Sequence, residues 1–149
     1  MHEMPPSIVA IDTTHPLYGP TVDLRVLVLR ESLGMSRETV FFPYESESHH
    51  FVALENENVI GCVLFYPRDG THGKLYQMAI RPSHQGAGVG RLLVRKLETH
   101  AHRLGIRCID LNARATAVGF YERLGYACVG APFLEIGIEH RNMVKTLDA

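Results

Sequence analysis

The stretch "SHQGAGVGRLL", residues 83–93, sets glycines at 86, 88 and 90 and runs straight into an apolar, helix-periodic segment. Ahead of it, "GKLYQMAI" (73–80) has strand character. Arg81-Pro82 closes that strand, because proline restricts the residue before it and cannot donate to a ladder. A strand, a glycine turn and a helix together suit an anion. The first turn of a helix carries N–H groups without intrahelical partners, and its dipole adds partial positive charge. Glycines let such backbone turn sharply and come close to a phosphate.

Spacing separates the phosphate-binding readings. A Walker A loop needs Lys and then Ser or Thr after its last glycine, but Arg91-Leu92 follow Gly90. A dinucleotide fingerprint beginning at Gly86 would need its third glycine at 91, which is arginine. A nucleotide-binding oxidoreductase therefore lacks its motif. The plainest alternative is a tight strand-to-helix turn that binds nothing.

The surrounding pattern is α/β. "SIVAID" (7–12) reads as a strand, and "TVDLRVLVLRESLG" (21–34) as a helix with Leu24, Leu27 and Val28 on one side and Gly34 as its stop. Residues 38–48 read as loop with room for a short helix. "HFVALENENVIGCVLFYP" (50–67) reads as two strands about an Asn-rich turn. From Gly88 to Leu104 the inner helix face is Val89, Leu93, Leu97, Ala101 and Leu104, with Gly105 as the terminator. "IRCIDLNA" (106–113) reads as a buried strand, "TAVGFYERLG" (116–125) as a short helix, and 126–130 and 139–147 as closing strands. Strands and helices in this order predict an α/β domain with a mixed sheet.

Bulk properties narrow the function. The chain has 149 residues, enough for one domain with a sizeable core, and a formal net charge of -1. That balance gives no general argument for nucleic acid or an anionic membrane. No apolar run has the length of a membrane span, and the opening residues lack the basic and apolar regions of a signal peptide. Cys62, Cys108 and Cys128 lie far apart among apolar neighbours, which predicts reduced, buried thiols in a cytoplasmic protein. Nine histidines show no metal-binding spacing, so no metal is expected.

Gln85-x-x-Gly88-x-Gly90, after a strand and before an amphipathic helix, resembles motif A of the GNAT superfamily of acyl-CoA-dependent N-acyltransferases. "GFYERLGYACVG" (119–130) resembles a second hallmark of that family, and the order of elements matches over about residues 7–147. "FLEIGIEHRNM" (133–143) further resembles a segment of the ElaA-like branch. The resemblance implies a single domain over residues 1–149. Its central sheet is mixed and mostly antiparallel, flanked by helices, and splayed between the strand before motif A and the next strand. The implied activity is transfer of an acetyl group from acetyl-CoA to a primary amine of a small molecule or peptide. Homodimers are common in the family. A non-catalytic acyl-CoA-binding or sensing module with a degenerate form of the fold is the alternative.

Carried onto this chain, the resemblance assigns the coenzyme A pyrophosphate to the amides of Gln85, Gly86, Ala87, Gly88, Val89, Gly90 and Arg91. Ala87 stands where relatives often have Lys or Arg; Arg81, Arg91 or Arg95 could supply charge nearby. Met78 and Ile80 would pair with the pantetheine arm as with an added strand. Tyr121 matches the family tyrosine near the coenzyme sulfur, where a hydroxyl can protonate the departing thiolate. Gln77 stands on the strand where many relatives have a glutamate base, and it cannot accept a proton at neutral pH. Glu135 and His140 are the candidates for that role. Arg114 stands where many relatives have an asparagine that touches pantetheine.

Overall fold

A computed structural model describes residues 5–148; residues 1–4, part of the opening read for a leader, and residue 149 lie outside the described residues. Seven strands form one sheet: β1 (Ser7–Ile11), β2 (His49–Glu55), β3 (Asn58–Pro67), β4 (His72–Ile80), β5 (Cys108–Arg114), β6 (Ala127–Glu135) and β7 (Ile138–Thr146). Their order across the sheet is β1-β2-β3-β4-β5-β7-β6. Three α-helices flank it: α1 (Tyr18–Leu29), α2 (Val89–Arg103) and α3 (Val118–Arg123). Every neighbouring pair is antiparallel except β4 and β5, which are parallel. A parallel pair needs a crossover, and α2 supplies it.

The β4–β5 pairing is short. It joins His72, Gly73 and Lys74 to Cys108, Ile109 and Asp110, and then the strands part. A bulge in β4 accompanies the parting. Cys62 faces Ala79 and Leu64 faces Tyr76, so Gln77 and Met78 together stand against Val63. Gln77 takes a left-handed backbone, φ 45°. A bulge bends its strand and sharpens the local twist, which turns β4 away from β5. The resulting sheet is the mixed, mostly antiparallel and splayed one that the resemblance implies.

Alternation along the strands builds two cores. Phe51, Ala53, Val63 and Phe65 face α2, where Val89, Leu93, Val94, Leu97 and Ala101 fill the inner stripe. Val52, Val59, Cys62 and Ala79 face the other way, against Leu24 of α1. The β2–β3 hairpin turns on Asn56 and Glu57, both at positive φ, as a two-residue hairpin loop requires. Gly73 shows how tightly β4 packs against β3 at this end of the sheet. A Cβ there would come within 2.2 Å of the Phe65 ring and 3.1 Å of the Tyr66 carbonyl. Gly73→Ala is therefore expected to cost about 1–3 kcal/mol of overpacking strain, read as a lowered denaturation midpoint.

Several expectations are corrected. α1 ends at Leu29, followed by a single 3-10 turn, Glu31–Leu33, before Gly34. Leu27 is 40% exposed, and the buried face of α1 is Thr21, Val22, Leu24 and Arg25. Leu104 is 47% exposed because it follows the last residue of α2 and leaves its stripe. Cys108 and Cys128 are half-buried, since alternate residues of β5 and β6 face away from the α2 core. The last hairpin is longer than expected, with β6 running through to Glu135. Residues 37–40 and 45–47 form two single 3-10 turns.

Candidate functional site

The glycine loop leads from β4 into α2. Gly86 and Gly88 hold φ 80° and 86°, and a Cβ on either would meet nothing within 4 Å. They are glycines for backbone conformation, with open space in front of them. Gly90 differs. A Cβ there would sit 3.1 Å from Phe120 and 3.4 Å from Met78, so Gly90 serves the packing of α2 on its neighbours. Among the described residues, no hydrogen bond engages the backbone N–H groups of residues 86–91, and no side chain caps α2. These amides at a helix entrance, unobstructed at Gly86 and Gly88, fit an anionic diphosphate. The side chain of Gln85 turns back to donate to the Ile80 carbonyl at 3.1 Å.

Past Lys74, the edge of β4 that faced β5 has no strand beside it. The Arg81 N–H donates to Ile60 of β3 at 2.8 Å, so alternation aims the N–H groups of Ile80 and Met78 toward the opening. Arg81 itself is committed, with Nε and Nη2 both bonded to the Val59 carbonyl, while Arg91 is exposed. Arg95 lies 3.6 Å from Glu98.

A cleft of about 340 Å³ opens where β4 and β5 part. Met78, Tyr121, Glu135 and His140 all line it. Tyr121 is buried against Phe120 and Tyr126, with ring centroids at 5.0 and 5.8 Å. Burial raises the pKa of its phenol, so the hydroxyl keeps its proton. Glu135 and His140 meet across the last hairpin. His140 Nδ1 donates to the Ile138 carbonyl at 2.8 Å, and its Nε2 lies 3.4 Å from Glu135 Oε2. Asn112 donates to the other carboxylate oxygen at 3.2 Å. The imidazole is buried and the carboxylate half-exposed, so Glu135 is the member that a solute can reach.

Gln77 lines the cleft, but its amide group is held by protein partners. Its Oε1 accepts from Arg25 Nε at 2.8 Å, and its Nε2 donates to the Val40 carbonyl at 2.7 Å. Arg25 is fully buried and also pairs with Glu45, which in turn accepts from Tyr18. Glu45 is thus held by protein partners and is not a free acidic group for an incoming amine. This network fastens the 37–47 segment, which carries the cleft-lining Phe41 and Phe42, to the bulge of β4.

Arg30 was not anticipated as a cleft residue, and Arg114 was anticipated only as a departure near pantetheine. Both line the cleft, and both donate to the Leu29 carbonyl, at 3.0 and 2.8 Å. Two arginines five apart in "LRVLVLR" were the one available signal for α1, and they gave no partner. The thiols offer no nucleophile here: none of the three lines the cleft, and burial pushes Cys62 up to about 12. Among the described residues no three His, Cys, Asp or Glu side chains form a metal-binding group, and no helix is long and apolar enough to cross a membrane.

Residues 21–126 match the model of the acetyltransferase (GNAT) family. The chain is 37% identical over 102 residues to the uncharacterized N-acetyltransferase YjcF of Bacillus subtilis, covering 68% of this chain and 72% of that protein. The fold is similar to that of Escherichia coli ElaA, with TM-score 0.80 and 18% identity over 94% of this chain and 99% of that one. It is also similar to a GNAT family acetyltransferase from Elizabethkingia anophelis solved with acetyl-CoA bound, with TM-score 0.71 and 19% identity over 95% and 98% of the two chains. With its splayed sheet, its glycine loop and the match across two-thirds of its length, the chain belongs to the GNAT acetyltransferase family.

Proposed function

We propose that the protein is an N-acetyltransferase that moves an acetyl group from acetyl-CoA to a primary amine by direct attack. The observation that carries this reading is the parting of β4 from β5 beyond Lys74, with Tyr121 lining the gap. When bound, acetyl-CoA supplies an activated thioester carbonyl. The amides of residues 86–91 would hold its diphosphate, the Gln85 N–H donating instead to the Pro82 carbonyl at 3.4 Å, and the open edge at Met78 and Ile80 would align the pantetheine arm by main-chain bonds. The Met78 N–H polarises the reacting carbonyl. Glu135, kept in place by Asn112 and by His140 as positioning residues, takes the proton that an ammonium must lose before it attacks. Tyr121 gives its proton to the departing sulfur. The three unpaired cysteines favour a reducing compartment, the cytoplasm.

The donor side is tested at Gly88. A valine there meets no protein atom at its Cβ but stands in front of the amides in a backbone conformation that L-residues avoid. Gly88→Val is expected to lose at least one charge-assisted bond, about 1.5–3 kcal/mol, and so to raise the acetyl-CoA Kd more than tenfold by calorimetry. An unchanged Kd removes the loop from coenzyme binding. Thiol release from acetyl-CoA across a panel of amines tests transfer itself. Tight binding of acetyl-CoA with no turnover on any amine would instead favour a binding module.

A further inference from the structure

We infer that the acceptor amine carries an oxyanion, a carboxylate or a phosphate ester, which docks on the paired guanidinium groups of Arg30 and Arg114. The inference deepens the transfer reading above and rests on it for the identity of the ligand as an acceptor. Arg30 Nη1 and Arg114 Nη2 converge on one atom, the Leu29 carbonyl oxygen at the end of α1, at 3.0 and 2.8 Å. The further bond of Arg30 is to another carbonyl, that of Thr39, at 3.2 Å. Neither arginine belongs to any salt bridge among the described residues. Arg30 is only 8% exposed, and its Nε is buried with no hydrogen-bond partner. Guanidinium groups stay charged under these conditions. Two cations brought together in a cleft wall hydrogen-bond only to neutral carbonyls, and the carboxylate that acts on both through space is Glu135, one negative charge against two positive. The one carboxylate lining the same cleft, Glu135, is engaged by His140 and Asn112. A bound oxyanion would balance the remaining positive charge through charge-assisted hydrogen bonds to the pair.

Placement separates this pair from the coenzyme side. On β5, Ile109, Leu111 and Ala113 face the α2 core, so Arg114 emerges on the opposite face, where it reaches the end of α1. Phe42 stacks on Tyr76 at 4.8 Å along the same cleft, giving the ligand an apolar wall between its two polar ends.

The experiment uses the intact protein, acetyl-CoA and matched acceptors that differ in charge. Amino acids from glycine to aminohexanoate are each compared with their amides, and phosphoethanolamine with ethanolamine. At least one anionic member is expected to exceed its neutral partner about tenfold or more in kcat/KM, the effect of one charge-assisted bond. Whether the preferred member is an acid or a phosphate identifies the oxyanion. Arg114→Gln and Arg30→Lys should raise the KM of that acceptor about tenfold more than they raise the KM of its neutral partner. Neutral amines that match or exceed their anionic partners in every pair overturn the inference and leave amine acetylation standing. Should no amine be turned over, the transfer reading fails. The oxyanion site is then decided by calorimetry with the N-acetylated acids and their amides: preference for the acids upholds it and equal binding overturns it. The wild-type comparisons need no variant, so a poorly folding arginine mutant does not affect the decision.

Discussion

Tyr121→Phe is expected to lower kcat by about a hundredfold or more, while acetyl-CoA affinity stays nearly constant. The reason lies in what the change spares. The ring stays edge-on to Phe120 and Tyr126, so the packing of α3 survives. Only the hydroxyl is lost, and burial keeps that hydroxyl protonated, the form an acid needs. Steady-state kinetics with calorimetric binding separates the two effects. A variant with full kcat would assign Tyr121 to packing alone.

Arg25→Met is expected to lose about 3–5 kcal/mol of folding stability, because it removes one partner of a buried ion pair and leaves the other. The guanidinium is 0% exposed. It satisfies the Glu45 carboxylate, the Gln77 amide oxygen and the Val40 carbonyl at once. Methionine fills much of the space but donates nothing, so three acceptors become under-satisfied together. For a chain of this size the loss corresponds to a midpoint lower by about 10 °C or more in a thermal melt. A companion variant, Glu45→Gln, keeps hydrogen bonding without the negative charge and should lose less. Equal losses in the two would show that shape, not charge, holds the segment.

Much of the fold could be read in advance, for local reasons. Arg81-Pro82 ends β4 where proline forbids continuation, and Asn56-Glu57 turn where the apolar runs pause. The placement of the glycine loop at the entrance of α2 and of Tyr121 on α3 could be read because both lie in contiguous motifs. Leu27 and Leu104 misled for one reason: periodicity assigns a face but does not say where a helix stops. Arg25 and Arg30 were hidden for another. Their partners Gln77, Glu45, Val40 and Thr39 lie 9 to 52 residues away, so burial of a cation has no local signature. The half-exposure of Cys108 follows from the alternation of β5, whose second face points away from the α2 core. Glu135 and His140 were brought together by a hairpin whose register, Phe133 opposite His140 and Glu135 opposite Ile138, depends on irregular pairing between Val129 and Phe133.

The two hydrogen bonds made by the Gln77 side chain couple parts that might otherwise vary separately. The residue that shapes the kink beside Met78 also anchors the 37–47 segment, the wall that the proposed acceptor would meet. Grafting the 37–47 segment of a relative onto this chain, to change which amine is used, would therefore disturb alignment of the donor as well. On the proposed mechanism, a functional transplant must carry its own counterparts of Arg25, Glu45 and Gln77, and selectivity and donor alignment would be inherited together.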